Sequence, residues 1–76
     1  MQFCDRTLAV DDRAIAADGA ELSSLSSVIR DLVERVSGVA RRYEGTDRED
    51  VSFELYEVER GLRGATRRLD RLTRSL

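Results

Sequence analysis

The chain has 76 residues, of which 41% are hydrophobic and 37% are charged, and its net charge is −2. A chain of this length makes one small domain that buries only about 60% of its unfolded surface, so it usually needs a covalent staple or a partner. A single cysteine and no histidine exclude an internal disulfide and a typical zinc site, and the small net charge excludes a general attraction to nucleic acid or anionic membrane.

The residue inventory also disfavours enzymes. Histidine is missing as a base at neutral pH, lysine is missing as a Schiff-base amine, and no glycine-rich phosphate loop is present. We therefore expect no catalytic residue, no cofactor and no metal. No apolar run approaches the roughly 20 residues of a membrane span. With no signal peptide evident, we expect a cytoplasmic protein, or one exported without a cleaved signal peptide. All basic residues are arginine, which we interpret as an actinobacterial-like codon bias.

Residues 1–17 are predicted to form an N-terminal arm or a short helix. Asp11 and Asp12 are suitable N-caps, and Asp18 before Gly19 offers a second helix start. Two alternatives follow. The chain bends near Gly19 after a short helix, or one longer helix runs through this glycine and is weakened there by about 1 kcal/mol.

Residues 18–76 are predicted to form a helical hairpin, with helix 1 at about 18–43, a turn at 44–47 and helix 2 at about 47–75. Both helices carry apolar residues spaced alternately by three and four, which is the heptad pattern of a coiled coil. The first stripe is Leu22, Leu25, Ile29, Leu32, Val36, Val39 and Tyr43, and the second is Val51, Leu55, Val58, Leu62, Ala65, Leu69, Leu72 and Leu76.

The turn has its own signals. Gly45 suits the left-handed residue that ends a helix, and Thr46 with Glu49 resembles a capping box that starts the next one. A link this short makes the two helices antiparallel neighbours. Gly61 and Gly64 inside helix 2 predict a close helix crossing or a kink.

One register pairs the two stripes throughout, with Leu32 level with Leu62. Opposite charges would then meet at both ends of the hairpin, for example Arg41 with Glu54 and Glu21 with Arg74. We therefore predict an all-α fold, an antiparallel two-helix coiled-coil hairpin that dimerises into a four-helix bundle. The partner is a second copy or another protein. The acidic start and basic end of helix 2 suit antiparallel pairing with its own copy.

Seven residues are predicted to form the partner interface. Two are aromatic residues outside the stripe, two are valines that flank the first stripe, and three belong to an arginine ladder on helix 2: Phe53, Tyr56, Val28, Val33, Arg60, Arg63 and Arg67. Exposed aromatic residues are common interface anchors, although Phe3, Leu8 or a second copy would also cover them. The arginines would solvate the outer face or meet phosphates. Nucleic acid is the less favoured partner because no aromatic residues interleave to stack bases.

The hairpin with its Tyr43-Glu44-Gly45 turn resembles the WXG100 (ESAT-6-like) proteins of type VII secretion, which carry Trp-x-Gly at that turn. The resemblance covers Leu22 to Leu76 and implies a homo- or heterodimeric four-helix bundle. The family carries an export signal beyond its second helix, and because no match to it follows the predicted helix 2 within residues 1–76, we do not expect export through that signal. The chain is also similar to helical-hairpin anti-sigma factors that bind cyclic di-GMP. Ser27 and Arg30 match two positions of their five-residue motif, and Ser23, Glu34 and Gly38 stand at the other three. The first likeness implies an interaction or adaptor module, and the second implies a regulator that binds a small anionic ligand.

Overall fold

Residues 9–76 are described by a computed structural model of the protein. Within them the chain forms two α-helices and no strand, α1 at Asp12–Tyr43 and α2 at Glu49–Ser75. The two helices lie side by side and pack against each other, which confirms the prediction of an all-α hairpin. This part of the molecule measures 59 × 27 × 13 Å, so it is a plate only one helix thick.

The first helix begins at Asp12, six positions before the predicted residue 18. The carboxylate of Asp11 accepts a hydrogen bond from the backbone N–H of Ala14 at 2.7 Å, which satisfies one of the open donors at the helix start. The helix then continues through Gly19 without interruption, as in the longer of the two predicted alternatives. Residues 1–8 of the predicted arm lie outside the described residues, and residues 12–17 belong to α1.

The link between the helices is residues 44–48, one residue longer than predicted. Gly45 has φ of 71°, which confirms its left-handed conformation. The capping box differs from prediction, because Thr46 does not cap α2. Its hydroxyl donates to the carbonyl of Tyr43 at 2.6 Å and so closes the end of α1. The carboxylate of Glu49 still reaches back, to the N–H of Gly45 at 3.2 Å.

The buried contact between the helices is not the leucine-rich seam that the heptads predict. The buried residues lie one position further along, next to predicted seam residues, and most are small: Ser26, Val33, Ser37 and Ala40 of α1, with Ser52 and Thr66 of α2. Each helix is therefore turned about its axis from the predicted orientation, toward a residue position that lies about 100° further around the helix. Small side chains allow the two backbones to approach closely, and two helices alone enclose only a narrow strip. We call this buried strip the inner seam.

Contacts across the inner seam show how far the predicted register holds. The Ser37 side chain lies close enough to Glu59 to help lower the pKa of that carboxyl, and the side chain of Leu76 lies 3.9 Å from where a Cβ on Gly19 would be. In both contacts the two residues are displaced by no more than two positions from the register that places Leu32 opposite Leu62. The antiparallel pairing is therefore aligned nearly as predicted, although the helix faces are turned.

The charge pairs predicted at the two ends of the hairpin are not formed. Among residues 9–76, the ion pair that joins the two helices is Arg30 with Asp70, at 2.7 Å. The glycines of α2 also differ from expectation. A Cβ on Gly61 would meet no atom of residues 9–76 within 4 Å, so α1 does not cross close to α2 at this position. No helix within the described residues combines the length and apolar character that crossing a membrane requires.

Candidate interaction surface

A broad apolar surface is the most conspicuous feature outside the inner seam. Leu25 is 43% exposed, Leu32 38%, Val58 49% and Leu72 49%, although all four belong to the predicted stripes. Eight further stripe residues are half-buried: Leu22, Ile29, Val36, Val39, Val51, Leu55, Leu62 and Leu69. Large exposed apolar side chains of a small domain mark a contact surface when they are contiguous.

The two stripes are contiguous because both lie on the same side of the plate. Neighbouring residues of a helix are separated by about 100°, so Leu32 lies on one side of buried Val33 and Glu34 on the other. On α2, Val58 and Arg60 flank Glu59 in the same way. We call the side that carries the two apolar stripes the apolar face, and the opposite side the polar face.

The polar face confirms this assignment by bringing charged residues of both helices into one open cleft of about 310 Å³. Its charged lining combines Arg30 and Glu34 from α1 with Arg63, Arg67 and Asp70 from α2. Because the charged edges of the two helices meet here, their apolar edges must meet on the other side. The hairpin is therefore amphipathic as a unit, with a wide apolar face and a wide charged one.

Ion pairs neutralise much of the polar face. Arg30 pairs with Asp70, and Arg63 pairs with Glu59 at 2.7 Å. Hydrogen bonds from Arg63 and Ser37 hold the pKa of Glu59 below its ordinary value. The Glu59 side chain is only 16% exposed, so this carboxylate links the polar face to the inner seam.

The predicted interface residues fall on different surfaces. Val28 is 52% exposed and borders the apolar face, whereas Val33 is 4% exposed and lies in the inner seam, where a partner does not reach it. Phe53 is 63% exposed on the charged side of α2. Four residues are brought together beside Glu59 in a shallow depression of the polar face: Tyr56, Arg60, Arg63 and Arg67.

The aromatic pair does not form a free patch. Tyr56 is half-buried, and its hydroxyl donates to the carboxylate of Glu44 at 2.9 Å. This hydrogen bond to a carboxylate raises the pKa of Tyr56. The side chain therefore ties the turn to α2, which leaves Phe53 as the exposed aromatic residue of the two.

Sequence reasoning missed the exposed leucines because it assigned them to the contact within the hairpin. A signal for the rotation was present. Small residues directly follow several stripe residues. On α1, Ser26 follows Leu25, Ser37 follows Val36 and Ala40 follows Val39, and on α2, Ser52 follows Val51. A second helical line of small residues next to the large ones indicates a close packing edge beside an exposed one.

Family models, curated proteins and solved structures were compared with this chain, and none of them matches it.

Proposed function

We propose that this chain is a non-enzymatic interaction module that acts through helix pairing. Its apolar face docks the apolar side of a helical protein partner, and the resulting core is that of a four-helix bundle. The observation that carries the proposal is the exposure of Leu25, Leu32, Val58 and Leu72 on one face of the hairpin. Water in contact with this face is released on docking, which favours association.

The size of the face supports the proposal. The 27 residues of α2 make a helix about 40 Å long, and two packed helices are about 20 Å wide, so the face covers roughly 800 Å². This is the area that each partner contributes to a standard specific interface. A lone hairpin that leaves it open has few buried side chains to stabilise it, since Val33 is the one large hydrophobic residue buried among residues 9–76.

The experiment compares affinity capture by the tagged chain with capture by Leu32→Glu, which places a charge in the centre of the apolar face. Ser27→Glu is the matched control, because Ser27 is exposed on the same helix, away from this face. Each captured protein is then purified and titrated against both chains by calorimetry. We expect a saturable partner that Leu32→Glu loses and Ser27→Glu retains. Equal binding by all three chains would refute the proposal.

A component of a type VII secretion-like system is the more specific form of this proposal. Its support is the resemblance of the hairpin and its Tyr43-Glu44-Gly45 turn to the WXG100 proteins, together with the amphipathic plate described above. A cytoplasmic site of action, before any export, belongs to the same proposal.

The alternative is a regulator that binds a small anionic ligand, such as a cyclic dinucleotide, in the polar cleft. Its support is the convergence of Arg30, Arg63 and Arg67 on one cleft. Two of these arginines already pair with carboxylates, so a ligand would have to displace Asp70 or Glu59, which makes this the weaker proposal. Calorimetric titration with cyclic di-GMP decides it. Saturable heat that Arg67→Gln removes would support the alternative, and no heat at 100-fold excess would eliminate it.

A further inference from the structure

We infer that the occupant of the apolar face is a second copy of this chain, turned so that the loops of the two hairpins lie at opposite ends of the bundle. This inference rests on the proposed function and names its partner. In the arrangement, α2 of one chain packs antiparallel on α2 of the other, and α1 packs antiparallel on α1. The twofold axis crosses the face between Leu32 and Leu62, at the middle of both apolar stripes.

Charge segregation along α2 is the first argument for this partner. Residues 49–61 carry five carboxylates and one arginine, a net charge of −4. Residues 62–75 carry five arginines and one carboxylate, a net charge of +4. When two copies of α2 run antiparallel, each acidic half lies beside the basic half of the other copy. A surface of this kind is complementary to itself, as a twofold interface requires.

The first helix has the same polarity with smaller charges. With the twofold axis at Leu32, residues 21–31, of net charge −1, face residues 33–43 of the second chain, of net charge +2, so two antiparallel copies of α1 are also complementary over this overlap. Both contacts across the interface therefore join opposite charges. An unrelated partner would need the same charge pattern on two helices of the same spacing.

The competing twofold arrangement places both loops at the same end. There α1 of one chain lies over α2 of the other, and the two copies of α2 run parallel along a diagonal. About the same axis, the loop-end half of each hairpin, residues 33–61, has a net charge of −3, and the open-end half, residues 12–31 with 63–75, has a net charge of +2. Loops at the same end bring the two negative halves together and the two positive halves together, so this arrangement is the less stable one.

Side-chain packing agrees with the opposite-end arrangement. Positions at equal distances on either side of the axis face each other in the two chains. Leu62 then faces its own copy, and Leu55 faces the Leu69 of the second chain. On α1, Leu25 faces the Val39 of the second chain. Every one of these positions belongs to the apolar face and is exposed or half-buried in the single hairpin.

The test measures mass and orientation in the full chain. Light scattering gives the mass in solution, which we expect to be twice the 8.6 kDa of one chain. For orientation, Cys4→Ser removes the native thiol, and Asp47→Cys places a nitroxide in the exposed turn. Residue 47 lies 15 positions from residue 62, so the two labels should be about 45 Å apart in the opposite-end dimer, and within about 20 Å if the loops share an end. Adding Leu32→Glu is the control, which should abolish the distance signal.

Each outcome decides the inference. A dimer with labels near 45 Å supports it, and a dimer with labels within 20 Å overturns the orientation. A chain that stays at 8.6 kDa at 100 µM overturns self-pairing. If that monomer still captures a separate protein that Leu32→Glu loses, the interaction function stands with another partner. If capture does not depend on Leu32, the proposed function fails as well.

Discussion

Replacing Ser26 with alanine should stabilise the protein, because this serine is buried without a hydrogen-bond partner. Its side chain is 1% exposed, and its hydroxyl finds no acceptor or donor among the described residues. An unsatisfied buried hydroxyl costs about 1 to 3 kcal/mol. Alanine removes this penalty and is also the better helix former, by a few tenths of a kcal/mol. The loss of one oxygen from a small site leaves little cavity, so the expected gain is about 1 to 2 kcal/mol.

Ser27→Ala is the matched control, since Ser27 is exposed on the same turn and gains only the helix propensity. Both variants are unfolded by urea at one protein concentration and followed by circular dichroism. Ser26→Ala should exceed the control by about 1 kcal/mol, which corresponds to roughly 4 to 8 °C in melting temperature for a domain of this size. Ser26→Leu should instead destabilise the chain by about 1 to 3 kcal/mol through overpacking. If Ser26→Leu is tolerated as well as Ser27→Leu, the inner seam does not pass through this residue.

Three further predictions follow from single positions. Gly61→Ala should stabilise the chain by about 1 kcal/mol, because a Cβ there meets nothing and the helix gains propensity. Gly45→Ala should destabilise it by about 1 kcal/mol, since φ of 71° strains any residue with a Cβ; thermal melts of both variants against wild type check the two signs. Because the folded-state pKa of Glu59 is lowered, its stabilising effect is present above its unfolded pKa of about 4.3 and is lost as the pH falls through the folded value. Urea unfolding between pH 7 and 3 should therefore show a smaller loss of stability for Glu59→Gln than for wild type, and equal losses would contradict the assignment.

Most of the fold could be predicted from residue spacing. Stripes that alternate by three and four indicate two helices, and Gly45 marks the point where the first one ends. The register of the two helices is also close to the predicted one. It depends on the length of the link and on where each apolar stripe begins along its helix. The two helices and the end of the first one depend on local residue patterns, and the register depends on one short link. All three can therefore be predicted from the sequence alone.

The faces of the helices could not be predicted in the same way. Leu32 and Val33 are both apolar and adjacent, so helix periodicity alone allows either of them to face α2. The choice depends on how closely the two backbones approach, which the small side chains at Ser26 and Ser52 permit. The heptad rule assumes that the strongest stripe is satisfied within the chain. In this hairpin the strongest stripe lies on the apolar face, and this placement is the basis of the functional proposal.

The measurement that tests the central claim most directly is the rate of thiol labelling at two adjacent positions in the Cys4→Ser background. The thiol introduced by Val33→Cys should be protected at every protein concentration, because Val33 is 4% exposed in the inner seam. The thiol introduced by Leu32→Cys should react quickly in dilute protein, since Leu32 is 38% exposed, and more slowly as the concentration rises and a second chain covers it. A thiol at position 33 that reacts as fast as one at position 32 would contradict the inner seam and the apolar face together.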